Sequence, residues 1–251
     1  MAYSLRLREW LDGVTRWLPG ECVLCRSTVR GGLLCNICAG EACRSMTTSG
    51  RRCPRCCLRL DARGCCHDCA ALVPVFGQVF AAVDYTFPAN LLLLQFKQQR
   101  RFVLAKTLAT LMADRMHDTR YVLPDDTILV PVPATKASLR RRGFNPAAEL
   151  AAQLARRLGL GCKHHWLYRH HETGPQKFLN RQQRLAGTAE LFGCSSKVAG
   201  HRFAVIDDVM TTGSTLNAVS RVLLAAGATA VTGVVLARTP VRERLNDALS
   251  R

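Results

Sequence analysis

The spacing of apolar positions changes along the chain and divides it. Tyr3, Leu7, Trp10, Leu11, Val14, Trp17 and Leu18 recur at helical spacing, which predicts an amphipathic helix over residues 1–20. From Cys22 to Cys69 the periodicity fades and Gly, Arg and Cys dominate, marking a small module over 21–73. A linker around Pro74–Gly77 leads into an α/β rhythm that runs over 78–240. Val79–Tyr85, Thr127–Val132, Phe203–Ile206 and Ala230–Leu236 predict strands, and Trp166–Tyr168 a weaker one. Leu91–Gln98, Val103–Met116, Ala147–Leu158 and Ser214–Ala226 predict helices, and His170–Gly187 a long polar loop. Strands alternating with helices imply an α/β fold with a mostly parallel sheet. The stretch 241–251 reads as a charged tail.

Charge and composition narrow the partners. The chain has 251 residues, 48% of them hydrophobic, enough for one ordinary core plus a small module. Its formal net charge is +17, and most of its 35 basic residues are arginine. Arginine makes two-pronged hydrogen bonds to phosphate, so phosphate-bearing partners are expected, single-stranded DNA among them. The cysteine-rich module holds few aromatics for base stacking, so a purely structural role for it stays open. The first helix carries Arg6, Arg8, Glu9, Asp12 and Arg16 and so has no apolar leader core. The longest aliphatic run, Leu91–Leu94, is too short for a bilayer. A cytoplasmic chain without membrane insertion is expected.

Eleven of the 13 cysteines precede residue 70, and eight form an internal repeat. Cys22-x2-Cys25 is followed nine residues later by Cys35-x2-Cys38, and Cys53-x2-Cys56 by Cys66-x2-Cys69, an offset of 31 at all four positions. Zinc takes four thiolates in a tetrahedron, and each pair of CxxC turns supplies four. The reading is a double zinc ribbon with sequential sites, although a cross-braced arrangement would use the same eight residues. Disulfides or redox-active pairs are the alternative, disfavoured in a reducing compartment. Cys43, Cys57, Cys65 and His67 are spare donors, and His67 is expected to be solvated.

The segment Phe203 to Thr215 carries the most specific chemistry. An apolar strand ends in Asp207 and Asp208, and a turn of Thr211, Thr212, Gly213, Ser214 and Thr215 opens a helix. Free N–H groups at a helix start, with hydroxyls beside them, suit a phosphate. Adjacent acids at a strand end suit vicinal ribose hydroxyls, with Mg²⁺ nearby. Taken separately, each half is also what an ordinary turn or helix cap looks like.

This segment closely resembles the phosphoribosyl pyrophosphate (PRPP) motif of type I phosphoribosyltransferases. The resemblance implies that Asp207 and Asp208 hold the ribose hydroxyls, that Thr211–Thr215 wrap the 5-phosphate, and that Mg²⁺ bridges ribose and pyrophosphate oxygens. It also implies that the loop after Val130-Pro131-Val132-Pro133 contacts pyrophosphate, with Thr135 and Lys136 as candidates. Arg140-Arg141-Arg142-Gly143-Phe144-Asn145, then Pro175-Gln176 and Arg181 to Arg184, follow in the order found in ComF proteins. Together with the cysteine pairs, the whole pattern resembles that family. Arg181 and Arg184 are candidates to reach pyrophosphate from a closing loop. Pro146 and Gly187 depart from it, where ComF proteins usually carry Gln and Asn. Lys97 matches a lysine of the family, and a snorkelling surface lysine is its simpler reading. The resemblance implies PRPP, zinc and magnesium as ligands. It further implies a role in natural transformation or use of external DNA, with competence machinery proteins as partners. Nucleobase salvage and a cysteine-rich scaffold or redox protein are the competing classes.

Overall fold

The computed structural model describes residues 19–48, 50–98, 102–170 and 191–241. Residues 1–18 of the expected first helix, most of the polar loop with Arg181 and Arg184, and 242–251 of the charged tail lie outside them, while residues 19 and 20 open a strand instead of closing that helix.

The two halves of the cysteine repeat fold through the same backbone hydrogen bonds. In the first, Cys22 N donates to Ser27 O (2.8 Å), Arg26 N to Cys22 O (2.8 Å) and Ala39 N to Cys35 O (2.9 Å). In the second, Cys53 N donates to Leu58 O (2.8 Å), Cys57 N to Cys53 O (3.0 Å) and Ala70 N to Cys66 O (3.1 Å). The residue after each first CxxC, Arg26 or Cys57, takes a left-handed φ of 61° or 57°. That rare backbone state closes a turn tight enough for both sulfurs to face one point. The first half carries a hairpin of β1 (Pro19–Glu21) and β2 (Thr28–Arg30), which the second reduces to a bridge between Arg52 and Arg59. Each half ends on a helix that starts directly after its third cysteine: α1 (Asn36–Thr48) and α2 (His67–Ala71). Sequence periodicity misses α1 because only Ala42 and Cys43 on it are buried, too few for an apolar stripe.

The rest of the chain is a parallel α/β sheet. Its strands are β3 (Val79–Asp84), β4 (Thr127–Pro131), β5 (Gly161–Cys162), β8 (Arg202–Met210) and β9 (Ala230–Arg238), in the order β3-β9-β8-β4-β5. Every neighbouring pair is parallel. A side hairpin pairs β6 (Leu167–Arg169) with β7 (Phe192–Cys194). The helices are α3 (Ala89–Gln98), α4 (Leu104–Asp118), α5 (Lys136–Arg142), α6 (Pro146–Leu158) and α7 (Ser214–Ala225). Alternation along β8 splits the core: Ala204 and Ile206 pack with α3, α4 and α6, while Phe203 and Val205 pack with α7. Both layers are apolar, as a buried parallel strand requires.

Three details depart from the sequence reading. Strand β8 runs four residues beyond Ile206, so the acid pair lies within its last turns of pleat rather than at its end. Lys136–Arg142 is a helix, too short and too exposed to leave a periodic signature. The Pro74–Gly77 stretch is not slack. Val75 N donates to Asn217 Oδ1 on α7 (2.8 Å), Gly77 N to Val231 O (2.9 Å), and Phe76 is buried. Burying one such ring is worth roughly 1.5–3 kcal/mol.

The two cysteine halves sit on different layers. Leu24, Leu34 and Cys43 of the first join the α3/α4/α6 layer, and Cys53, Cys56 and Leu58 of the second join the α7 layer. Arg52 anchors the second half by a two-pronged ion pair to buried Asp84 at the end of β3 (2.9 and 2.7 Å). Its guanidinium also donates to Cys57 O at 3.1 Å and Ser45 O at 2.9 Å.

Candidate functional site

The eight repeat cysteines gather into two groups, Cys22/Cys25/Cys35/Cys38 and Cys53/Cys56/Cys66/Cys69, with the sulfurs of each within 4.8 Å of one another. The grouping is sequential, not cross-braced. Sγ–Sγ distances are 3.7 Å (Cys25–Cys35), 3.7 Å (Cys53–Cys69) and 3.4 Å (Cys56–Cys66). A zinc–sulfur bond of about 2.3 Å gives a tetrahedral edge of about 3.8 Å, whereas a disulfide is about 2.05 Å. The spacing therefore suits a four-thiolate metal site and excludes a bond between these sulfurs.

The electrostatics agree. Burial works against ionising Cys22, yet the backbone N–H groups of Cys25, Cys35 and Leu24 bring its thiol down to about 6. Burial, with Cys25, Cys35 and Cys22 beside it, drives Cys38 strongly upward. Cys53 goes down and Cys69 strongly up in the second group. Thiolates this close repel one another, and a cation among them would relieve that repulsion, which suits each group to a metal. His67 stands outside the second group, its side chain 74% exposed.

The second centre lies at the C-terminal end of β8. The chain leaves the strand at Met210, turns through Thr211–Gly213 and starts α7 at Ser214. Gly213 has φ +84°, a conformation that costs an L-residue roughly 1–2 kcal/mol. Asp207, Thr211, Gly213, Ser214 and Thr215 line one small recess of about 30 Å³. Thr212 stands beside it, its Oγ1 donating to Ser214 Oγ (3.2 Å) and accepting from Ser214 N (3.4 Å). Asp207 Oδ1 accepts from Asp208 N at 2.8 Å. Burial first, then the neighbouring Asp208 carboxylate, push the Asp207 carboxyl up to about 8, against the pull of the Asp208 N–H and Lys97.

Asp208 turns the other way. Its Oδ2 meets Lys97 Nζ from the last turn of α3 at 2.9 Å, with both side chains mostly buried. Lys97 is therefore no snorkelling surface residue, and this correction comes from tertiary placement. Lys97, Gln98, Arg141 and Arg142 line a cavity of about 240 Å³ between α3 and α5. Two of the three consecutive arginines thus face the acid pair's lysine.

Thr135 and Lys136 sit beyond β4, the strand next to β8. The Thr135 hydroxyl caps α5, accepting from Ser138 N (3.1 Å). Lys136 lines a different cavity, with Asn145, His164, His165, Tyr168 and Arg169. The structure therefore joins Asp207 to the Thr/Ser loop and Asp208 to Lys97, and leaves Lys136 in a neighbouring cleft.

Known proteins bear on this geometry. Residues 137–250 match the phosphoribosyl transferase domain family. The chain is 31% identical over 229 residues to the DNA utilization protein YhgH of Escherichia coli strain K12, covering 88% of this chain and 98% of that protein. It is 31% identical over 216 residues to competence protein F of Haemophilus influenzae strain Rd, covering 81% and 90%. The chain belongs to the ComF family. Adenine phosphoribosyltransferase of Kineococcus radiotolerans is 40% identical over 116 residues, 44% of this chain and 59% of that enzyme. The fold is accordingly the type I phosphoribosyltransferase sheet with an N-terminal pair of four-cysteine ribbons, as the ComF pattern implies. Pro146 fills the first position of α6. Asn145 caps that helix, accepting from Ala147 N (3.1 Å) while donating to Val132 O (3.0 Å). Proline needs no N–H there, so the departure is locally harmless. Among the described residues, no helix is long and apolar enough to cross a membrane.

Proposed function

We propose that the chain binds PRPP with magnesium at the end of β8 and that it serves the uptake or use of DNA in the cytoplasm. The observation that carries the ligand reading is the recess where Asp207, Thr211 and Gly213–Thr215 converge on a helix start. Backbone N–H groups and hydroxyls there suit a 5-phosphate, and the two carboxylates suit the ribose hydroxyls. Lys97, paired with Asp208, shares a cavity with Arg141 and Arg142, and these three cations are read as donors to pyrophosphate. Thr135, Lys136, Arg181 and Arg184 remain candidates to add donors. Magnesium would supply charge neutralisation for the pyrophosphate. The chain's own part is to orient C1 and to stabilise the leaving charge while a nitrogen nucleophile attacks. The two four-cysteine clusters are read as zinc sites that brace the N-terminal module.

The DNA reading rests on the names of the relatives and on a +17 chain. Single-stranded DNA and competence machinery proteins are its expected partners. The similarity to an adenine phosphoribosyltransferase supports nucleobase salvage as a second reading.

Titration calorimetry with PRPP and Mg²⁺ tests the ligand. Heat is expected with the native chain and none with Asp207→Ala/Asp208→Ala; no binding by the native chain refutes it. Pyrophosphate–PRPP isotope exchange with a panel of bases separates the two functions, since turnover with a base selects salvage. A gel shift on single-stranded DNA over a salt series tests the DNA role, and no shift at low salt removes direct binding.

A further inference from the structure

One side chain spans the second cysteine cluster and the phosphate loop. Arg238 ends β9 and is fully buried. A guanidinium shut away from water is stable only where its donors are occupied and its charge is met. Arg238 achieves this by reaching in two directions. Toward the cluster, Nε donates to Cys56 O (2.9 Å), and Nη2 pairs with buried Asp68, the residue before Cys69, and lies 3.9 Å from Cys56 Sγ. Toward the loop, Nη1 donates to Met210 O (3.0 Å) and to Thr211 O, the point where the chain leaves β8. Beside it, Arg52 holds Cys57 O and Asp84. Tyr85 N, just after β3, donates to the Arg238 carbonyl (2.8 Å).

We propose that Arg238 is a positioning residue through which metal occupancy of the second cluster, and not of the first, sets the backbone of the 210–215 loop. A metal held by Cys56 and Cys69 fixes the Cys56 carbonyl and the adjacent Asp68, which are the anchors of the guanidinium. Loss of the metal frees both anchors, and the hold on the Met210 and Thr211 carbonyls slackens with them. The first half of the repeat packs into the opposite layer through Leu24, Leu34 and Cys43. The inference rests on the metal reading of the second cluster and not on the identity of the loop's ligand.

Hydrogen exchange by mass spectrometry on the full chain tests it. In Cys25→Ser the second cluster is the intact one, and its metal is then stripped with a chelator. Exchange at 209–215 is expected to speed up about tenfold or more while α6 keeps its protection. Arg238→Lys keeps the charge opposite Asp68 but cannot span both anchors. It is expected to retain the native metal content and still show the faster loop exchange. Unchanged loop exchange after stripping, or unchanged exchange in a folded Arg238→Lys, overturns the proposal. So does equal loss of protection across α6, which would mean general destabilisation. If Arg238→Lys does not fold, the stripping experiment decides alone. Failure of the native chain to bind PRPP would sink the ligand reading and leave this one standing.

Discussion

Asp207 should make ligand binding depend on pH in a window where the phosphate does not titrate. Its carboxyl is held up to about 8 by burial and by the Asp208 carboxylate. Gripping ribose hydroxyls beside a metal ion requires the ionised form, so binding must first remove a proton. About one molecule in ten is ionised at pH 7 and about nine in ten at pH 9, and apparent affinity scales with that fraction. The affinity for PRPP with Mg²⁺ should therefore rise about tenfold from pH 7 to pH 9. A 5-phosphate, with a second pKa of about 6, is already mostly charged across that range. Calorimetry in buffers of different ionisation enthalpy should count about 0.9 proton released per site at pH 7 and about 0.1 at pH 9. The free protein gives the complementary sign. A carboxyl raised from 3.8 to about 8 stabilises the fold at low pH, and that contribution is lost as pH climbs through this interval. Asp207→Asn should remove both effects, leaving weaker binding with no slope from pH 7 to 9. A flat profile in the native chain, or the same slope in Asp207→Asn, refutes the reasoning.

Three further outcomes are expected. Lys97→Met strands the mostly buried Asp208 carboxylate and should cost on the order of 2 kcal/mol in thermal or denaturant unfolding, with Lys97→Met/Asp208→Asn recovering part of it. Gly213→Ala forces a methyl-bearing residue to φ +84° against the Met210 side chain, so it should lower stability by about 1–2 kcal/mol and weaken phosphate binding at least severalfold by calorimetry. Elemental analysis should find two zinc ions per native chain and one in Cys66→Ser, because the two groups of four share no sulfur.

How much the sequence disclosed depended on how local each feature was. The cysteine repeat was legible because a CxxC turn and its partner are set within a few residues, and the structure repeats the turn bonds around each pair while shortening the second hairpin to a bridge. The Asp-Asp and Thr-Thr-Gly-Ser-Thr run was legible for the same reason, since strand, turn and helix start are contiguous. Lys97 was read as a snorkelling surface residue because nothing near it in sequence announces Asp208, which lies on another element. Arg238 was hidden more thoroughly. It lies just past the predicted strand Ala230–Leu236 with nothing acidic beside it in sequence, and its burial makes sense only once Asp68 and Cys56 surround it. Thr135 and Lys136 came only through the family resemblance, as pyrophosphate candidates, and no local pattern could tell that the Thr135 hydroxyl caps α5 or that Lys136 lines the cleft beside Asn145 and Tyr168.

The inward packing of Cys53, Cys56, Leu58 and Phe76 bears on how such a protein can be rearranged by evolution or by engineering. A ribbon that touches its host lightly can be traded between proteins like a bead. Here, exchanging the second ribbon for a foreign one would uncover Val79, Ala81 and Val235 and orphan Asp84 and Arg238 together. The first ribbon is tied to the other layer instead, through buried Ala42 and Cys43 and the Gln95 Nε2 bond to Val23 O (3.1 Å), so replacing it would open the α3/α4/α6 side and leave Asp84 and Arg238 paired.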